Sequence, residues 1–359
     1  MRKFSHGFLL VLLFSLGVFS CTRQDQAEGN NSGITNNNAP DIVLVEVSDP
    51  AANGREELLP VYEPVAVSRV PSAPISADPG DILSWPVNTW RDRSYEVFSW
   101  DRFPEILIFD TADYAVQDRF FKRLAFFVEK DGFRGRLSYD EDIAHLHGWN
   151  AHNYRAEDLA VFFQTARETG FPLLPEEWEL EYILYLNGII RWDSRLGIIP
   201  GRGAVLSLSR ESDRVNTSLR PRFMAHEAFH GIFFVDDEFR DFSYRRWELL
   251  PNYARTFILA YFNMQAYDIH DNYLVVNEFM GHILQFTVAN ASWYFGEHLP
   301  NLLLSNSARH RASLPERETL TAQGRRFWPD LAQVFTAEAE AFSSHVNRRW
   351  GYSAGRAWR

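Results

Sequence analysis

His226-Glu227-Ala-Phe-His230 is the segment of the chain whose residue types and spacing point to chemistry. On a helix, residues four apart share one face, about one turn from each other. Both imidazoles can then meet one zinc ion, and Glu227, next to the first, is placed to act as general base. Around them run Phe223, Met224, Ala225, Phe229, Ile232 and Phe233. So apolar a helix suits the floor of a cleft. A buried pair of imidazoles with a carboxylate between them is costly unless something binds them.

Such a site needs a third protein ligand, and the chain offers three candidates. Asp236 lies six residues after His230. A ligand there requires the helix to break first, and Phe233 stands where a glycine would allow it. Glu248 follows in Arg245-Arg-Trp-Glu248, among charges that a solvated helix face explains. Glu278 lies in Leu274-Val-Val-Asn277-Glu278-Phe-Met-Gly-His282, inside a strongly apolar helical run. A buried carboxylate should be paired or bound to a metal, which favours Glu278.

His226-Glu-x-x-His230 followed by Asn277-Glu278 on a second helix resembles the thermolysin-like gluzincin zinc metallopeptidases. The resemblance spans His226 to His282 and the strand before it, under a third of the chain. It implies that His226, His230 and Glu278 hold Zn2+. It implies that Glu227 activates a metal-bound water against a peptide bond. It also implies an edge strand above the helix that binds extended peptide; Ala204 to Ser209, with Val205, Ser207 and Ser209, is the expected counterpart. The family steadies its oxyanion with a Tyr or His, for which Tyr261, Tyr267, Tyr273 and His270 are available. His282 stands where that family has an aspartate, as a supporting partner of Glu278 or a rival ligand. Asn277, His282 and Tyr273 are therefore the candidates for steadying ligands or oxyanion.

The positioning elements read as α+β. A mixed α/β N-terminal lobe precedes a mainly helical, zincin-like lobe with its edge strand before the His-Glu-x-x-His helix. Ile106 to Phe109 is β-branched and apolar, a strand ending at Asp110. Gln117 to Lys130 and Ala156 to Thr169 have helical spacing, the second stopped by Gly170. Asp110 and Asp113 suit a helix cap. Asn187-Gly188 between Tyr182–Leu186 and Ile189–Asp193 predicts a hairpin, or else caps a helix running from Glu176. Ala204 to Ser209 alternates as a half-exposed strand does. Further helices are predicted over Leu219–Val235, Tyr244–Ala266 with a break at Pro251, Tyr273–Tyr294 and Trp328–Trp350. The cluster His145, His147 and His152 reads as hydrogen-bonding histidines of a packed loop, with a second metal site as the alternative.

The chain has 359 residues, 36 basic and 47 acidic, for a formal net charge of −11. That argues against a nucleic-acid partner, which needs a basic footprint. One cysteine excludes a disulfide framework and any thiolate-rich zinc site. Arg2 and Lys3 precede a short apolar run, Phe8 to Phe19, too short to span a bilayer about 30 Å thick. With Ser20-Cys21 after it, this resembles a bacterial lipoprotein signal, in which Cys21 carries the lipid. An ordinary signal peptide leaving a free thiol is the alternative. The expected organisation is a signal at 1–20, a flexible tether at 21–58, an α/β lobe at 59–195 and the catalytic lobe at 196–359. Arg348, Arg349, Arg356 and Arg359 read as a solvated tail. The function expected is a zinc metallopeptidase of the cell envelope, anchored to the membrane through its N-terminal lipid and acting on peptide or protein outside the cytoplasm. The alternatives are a non-catalytic zinc-binding surface lipoprotein and a cell-wall peptide amidase.

Overall fold

Alternate residues of one strand feed two different cores. In the computed structural model, which describes residues 71–130, 132–211, 219–303 and 324–359, strand β3 follows two earlier strands, β1 (Ile75–Ala77) and β2 (Tyr95–Trp100), and a short helix α1 (Pro79–Ser84). β3 itself covers Ile106–Asp113. Its Ile106 and Ile108 pack on one side with Leu206, Met224 and Phe229, while Leu107 and Phe109 pack on the other with Phe120, Phe121 and Phe163. A strand buried on both faces reads as a continuous apolar run, as Ile-Leu-Ile-Phe does.

The back layer is α2 (Tyr114–Val128), α4 (Ala156–Thr169) and α5 (Pro175–Leu186), with the short α3 (Asp140–Ile143) and strand β4 (Ala151–Arg155) between them. Asp113 caps α2 by accepting from Val116 N at 2.8 Å. Gly170 closes α4 with φ 64°. The predicted hairpin around Asn187-Gly188 is instead the end of α5, as the alternative reading had it. Pro175 opens that helix, Glu177 accepts from Leu174 N at 2.8 Å, and Leu180, Ile183 and Leu184 are buried at helical spacing. A hairpin does follow, from β5 (Ile190–Asp193) to β6 (Gly197–Pro200). The lobe boundary expected at 195/196 falls in its turn.

Strand β7 (Ala204–Glu211) then enters the sheet between β3 and β4, giving the order β1-β2-β3-β7-β4. It runs parallel to β3 and antiparallel to β4. The sheet therefore draws on both sides of residue 195, and the described residues all lie within one unit, Asn37–Arg359. β7 is not an edge strand. Val205 points into the back core, and Ser207 is fully buried. The edge beside the front helices is β4.

The front layer begins with α6 (Arg220–Val235), followed by α7 (Asp237–Leu249), α8 (Asn252–Met264), α9 (Asn272–Leu284), α10 (Val288–Trp293), a π-helical turn at Tyr294–His298, and α11 (Gly324–Trp350). The break at Pro251 separates α7 from α8, and the predicted helix over Tyr273–Tyr294 is divided between α9 and α10. Gly231 lets α6 lie close on the sheet: a Cβ there would meet Ile106 Cδ1 at 3.1 Å. Asp110 ties α6 to the strands. Its carboxylate, fully buried, takes Arg210 Nε at 2.8 Å and Arg220 Nη1 at 3.0 Å, so it is an ionic anchor and not a cap. The C-terminal chain packs on the body, while the arginines expected to be solvated stay so: Arg348, Arg356 and Arg359 are exposed and Arg349 half-buried. Tyr352, Ala354 and Ala357 are buried, and Arg359 pairs with Asp78 and Asp101.

No helix among the described residues is long and apolar enough to cross a membrane. Residues 1–70 lie outside the described residues, and with them Cys21, the signal and the tether.

Removing one member of a buried ionic group leaves the others unpaired, at a cost of about 3–5 kcal/mol. Asp110→Ala should lower unfolding stability by that amount in urea titration, and Asp113→Ala by about 1 kcal/mol, the worth of a cap.

Candidate metal centre

Helix α6 is buried over most of Met224 to Phe233, so the polar residues there enter the interior with it. His230 is fully buried and Glu227 is 5% exposed. Four residues apart on α6, His226 and His230 both face α9. The two Nε2 atoms lie 2.9 Å apart. From α9, Glu278 brings Oε2 to 3.7 Å from His226 Nε2 and Oε1 to 3.9 Å from His230 Nε2. Glu278 is 2% exposed, and its Oε2 has no hydrogen-bond partner among the described residues. One ligand atom from each of His226, His230 and Glu278 falls within 4.8 Å of the others.

This closeness depends on Gly281. A Cβ there would meet His230 Nε2 at 2.5 Å and His226 Cε1 at 2.9 Å. Glycine costs helix stability, so in a helix interior it marks a close approach. Here the approach is that of α9 to the two imidazoles.

Burial sets the protonation. It pushes the His226 imidazole down to about 3, with the Arg222 guanidinium adding to the effect. It pushes His230 down to about 4, helped by His226 and opposed by Glu278 and Asn277. Both imidazoles are neutral at neutral pH, with lone pairs to offer. Burial raises Glu278, against the pull of His230 and of the Tyr267 hydroxyl that donates to it. Burial also raises Glu227 well above its usual range, although Asn153 stabilises the charged form. Three converging donor atoms, a carboxylate oxygen without a partner and a missing positive charge fit a divalent metal ion.

His282 is a donor facing the cluster. Arg222 can only donate, so the Gln285 amide turns Oε1 to it, at 3.1 Å from Arg222 Nε. Gln285 Nε2 then faces His282 Nδ1 at 2.7 Å and donates to it. Burial keeps His282 neutral. Its single proton therefore sits on Nε2, 3.9 Å from Glu278 Oε2. The Tyr294 hydroxyl flanks Nδ1 at 3.1 Å. The network fixes this tautomer, which suits support of Glu278 and not a third nitrogen ligand.

Glu227 faces the sheet edge. Asn153 of β4 donates Nδ2 to Glu227 Oε2 at 2.8 Å. Along β4, His152 and Tyr154 point the other way; His152 Nδ1 lies 2.8 Å from Ser207 Oγ, to which Gln117 also donates at 3.0 Å. His152 is thus a packing histidine of the back core, and His147 stacks on Tyr114 at 4.6 Å. Ser207 serves this buried network, and the Ser209 carbonyl accepts from Arg220 at 2.9 Å. Val205, Ser207 and Ser209 therefore do not form a substrate edge.

The other candidates separate. Asp236 caps α7 through Phe239 N and pairs with Arg349 at 2.7 Å. Glu248 and His270 are exposed. Tyr261 packs edge-on against His282 at 5.2 Å. Tyr273 lies under the Arg155 guanidinium at 4.1 Å, on the wall of a cavity shared with Asn153 and Asn277. Tyr267 is the tyrosine that touches Glu278. Asn153 and Gly281 carry no sequence signal that singles them out, since both act through contacts between distant elements.

No family model, no curated protein and no solved structure matches the chain.

Gly281→Ala should lower stability, and its folded fraction should fail to take up a stoichiometric divalent ion, measured by elemental analysis after dialysis. Gln285→Leu should keep the three donors and weaken metal binding about 10- to 100-fold in chelator competition, the usual effect of losing a residue that orients a ligand.

Proposed function

We propose that the protein is a zinc-dependent metallopeptidase, with a zincin-like arrangement of edge strand, His-Glu-x-x-His helix and second ligand helix. One observation carries this reading: Glu227, adjacent to two converging imidazoles, is held by the side chain of an edge strand. A binding module has no need of a carboxylate so placed. Two imidazoles and a carboxylate suit zinc, and the described residues contain no thiol.

Bound zinc would polarise the scissile carbonyl and acidify a water molecule. The chain's own residues do the rest. Glu227 accepts the proton of the attacking water and passes it to the leaving amine. Asn153 Nδ2 holds Glu227 in one rotamer for both transfers. Tyr267 holds Glu278, and His282 presents its Nε2 proton to the same carboxylate. β4 offers its free edge to an extended peptide, which would add as a further strand beside Asn153. Cys21 would anchor the molecule to the membrane of a bacterial cell envelope, which makes envelope or exterior peptides the substrates within reach.

The test compares zinc content and hydrolysis of a mixed peptide library. Glu227→Gln should retain zinc and lose about 10²- to 10⁴-fold in kcat. Glu278→Ala should lose zinc. Full zinc occupancy in Glu278→Ala would overturn the ligand assignment. Zinc-loaded wild type that cleaves no peptide would overturn the peptidase reading, and cleavage of cross-linked wall peptides alone would narrow it to an amidase.

A further inference from the structure

Glu129, the residue that ends α2, is a third buried carboxylate beside the metal centre. It is 6% exposed and lines the cavity that Asn153, Asn277 and Phe234 also line. Those three neighbours place the cavity: Asn153 bonds Glu227, Asn277 precedes Glu278, and Phe234 follows His230 by one turn, stacked on it at 6.5 Å. Glu129 Oε2 accepts from Trp149 Nε1 at 2.8 Å. The indole stacks on Tyr267, the tyrosine that holds Glu278, with centroids 5.4 Å apart.

The guanidinium groups around this carboxylate are paired elsewhere, and the neighbouring Lys130 acts on it without forming an ion pair. Arg155 in the cavity wall pairs with Asp158 at 2.9 Å. Arg134 pairs with Asp268 at 2.9 Å and with Asp271. Lys130 holds its Nζ over the Trp149 face, 3.0 Å from the ring centroid. Glu129 makes no ion pair among the described residues. The wall thus contains two paired guanidinium groups, their partners Asp158 and Asp271, and Glu129, a carboxylate without an ion pair among the described residues. Burial and the Glu278 charge push Glu129 up to about 8, and Lys130, itself pushed down to about 7 by burial, only partly offsets this. A buried carboxylate of this kind gains most from a cation that arrives with its hydrogen-bond donors and shuts out water.

We propose that Glu129 is a substrate subsite that receives a cationic group, an ammonium or guanidinium, of the peptide lying along β4. The cation would stand against Glu129 while the neighbouring backbone reaches Glu227. Trp149 would fix the carboxylate orientation through its indole N–H. Two sources supply this chemistry: a free peptide α-amine or a lysine or arginine side chain. This inference rests on the peptidase reading for its choice of ligand, but its test does not need turnover.

The test measures binding to the zinc-loaded full chain carrying Glu227→Gln. The probes are hexapeptides that differ only by lysine or norleucine at one scanned position, each with a free or acetylated N-terminus. The expected result is a preference of about tenfold or more for the cationic member of one pair, the scale of a hydrogen bond to a charged group. Preference in the lysine–norleucine pair identifies a side chain; preference in the free–acetylated pair identifies the α-amine. Adding Glu129→Gln, which preserves an acceptor for Trp149, should bring that ratio to about one. Equal binding of both members in every pair, a preference that survives Glu129→Gln, or no binding of any peptide would each overturn the proposal. The first result is read without altering Glu129, so it stands even if the double variant misfolds. A preference found in a protein that hydrolyses nothing would keep the subsite and discard the peptidase.

Discussion

Two imidazoles and a carboxylate held out of water tolerate very little displacement. Each is stable in the interior only through the others, or through an ion that joins them. The contact of α6 with α9 is therefore the constraint on which the front of the molecule depends. It needs a glycine at 281, because any side chain there would occupy the space of the rings. It needs a donor to Glu278, which the Tyr267 hydroxyl supplies, while His282 stands on the other side with its Nε2 at 3.9 Å from Oε2. It also needs His282 in one tautomer, and that requirement extends through Gln285 to Arg222, one turn before His226 on α6 itself. The helix that bears the two imidazoles thus also holds the far end of the network that orients His282.

The sheet makes that contact reproducible. α6 lies on β3 and β7 through Gly231, and Asp110 binds Arg220 at its first turn and Arg210 on β7. Translation of α6 along the sheet would break this ionic anchor before it displaced the histidines. On the other side, α2 and α4 bury the alternate residues of the same strands. The pairing of Asn153 with Leu206 in register then sets how far Asn153 stands from Glu227. A polar contact at the cleft is fixed by apolar packing on both faces of the sheet.

Much of this is legible in the sequence where the signal is local. His226, Glu227 and His230 declare themselves by helical spacing, and Glu278 by being a carboxylate in an apolar run. Gly170 and Pro251 end helices where the chain says they should. The rest depends on tertiary placement. Ala204 to Ser209 alternates like a half-exposed strand, yet Ser207 is buried because Gln117 and His152 satisfy its hydroxyl. Alternation reports polarity, and polarity stands for exposure only when no partner waits in the core. Asn187-Gly188 is read as a turn between strands, although the same φ > 0 closes a helix equally well. Asn153, Gly281 and Glu129 matter through contacts with residues far along the chain, which no periodicity encodes.

β4 has one further consequence. Its side chains alternate strictly: Asn153 faces the cleft, while His152 and Tyr154 pack against Phe121 in the back core. The strand begins just after an irregular segment, Leu146 to Asn150, that contains no regular element to absorb a change in length. One residue gained or lost there, carried into the pairing with β7, would invert the parity of the whole strand. An imidazole and a phenol would then enter the cleft and an amide would enter the core. Length variation is therefore tolerable only where the loop takes it up and leaves the pairing of β4 with β7 in register.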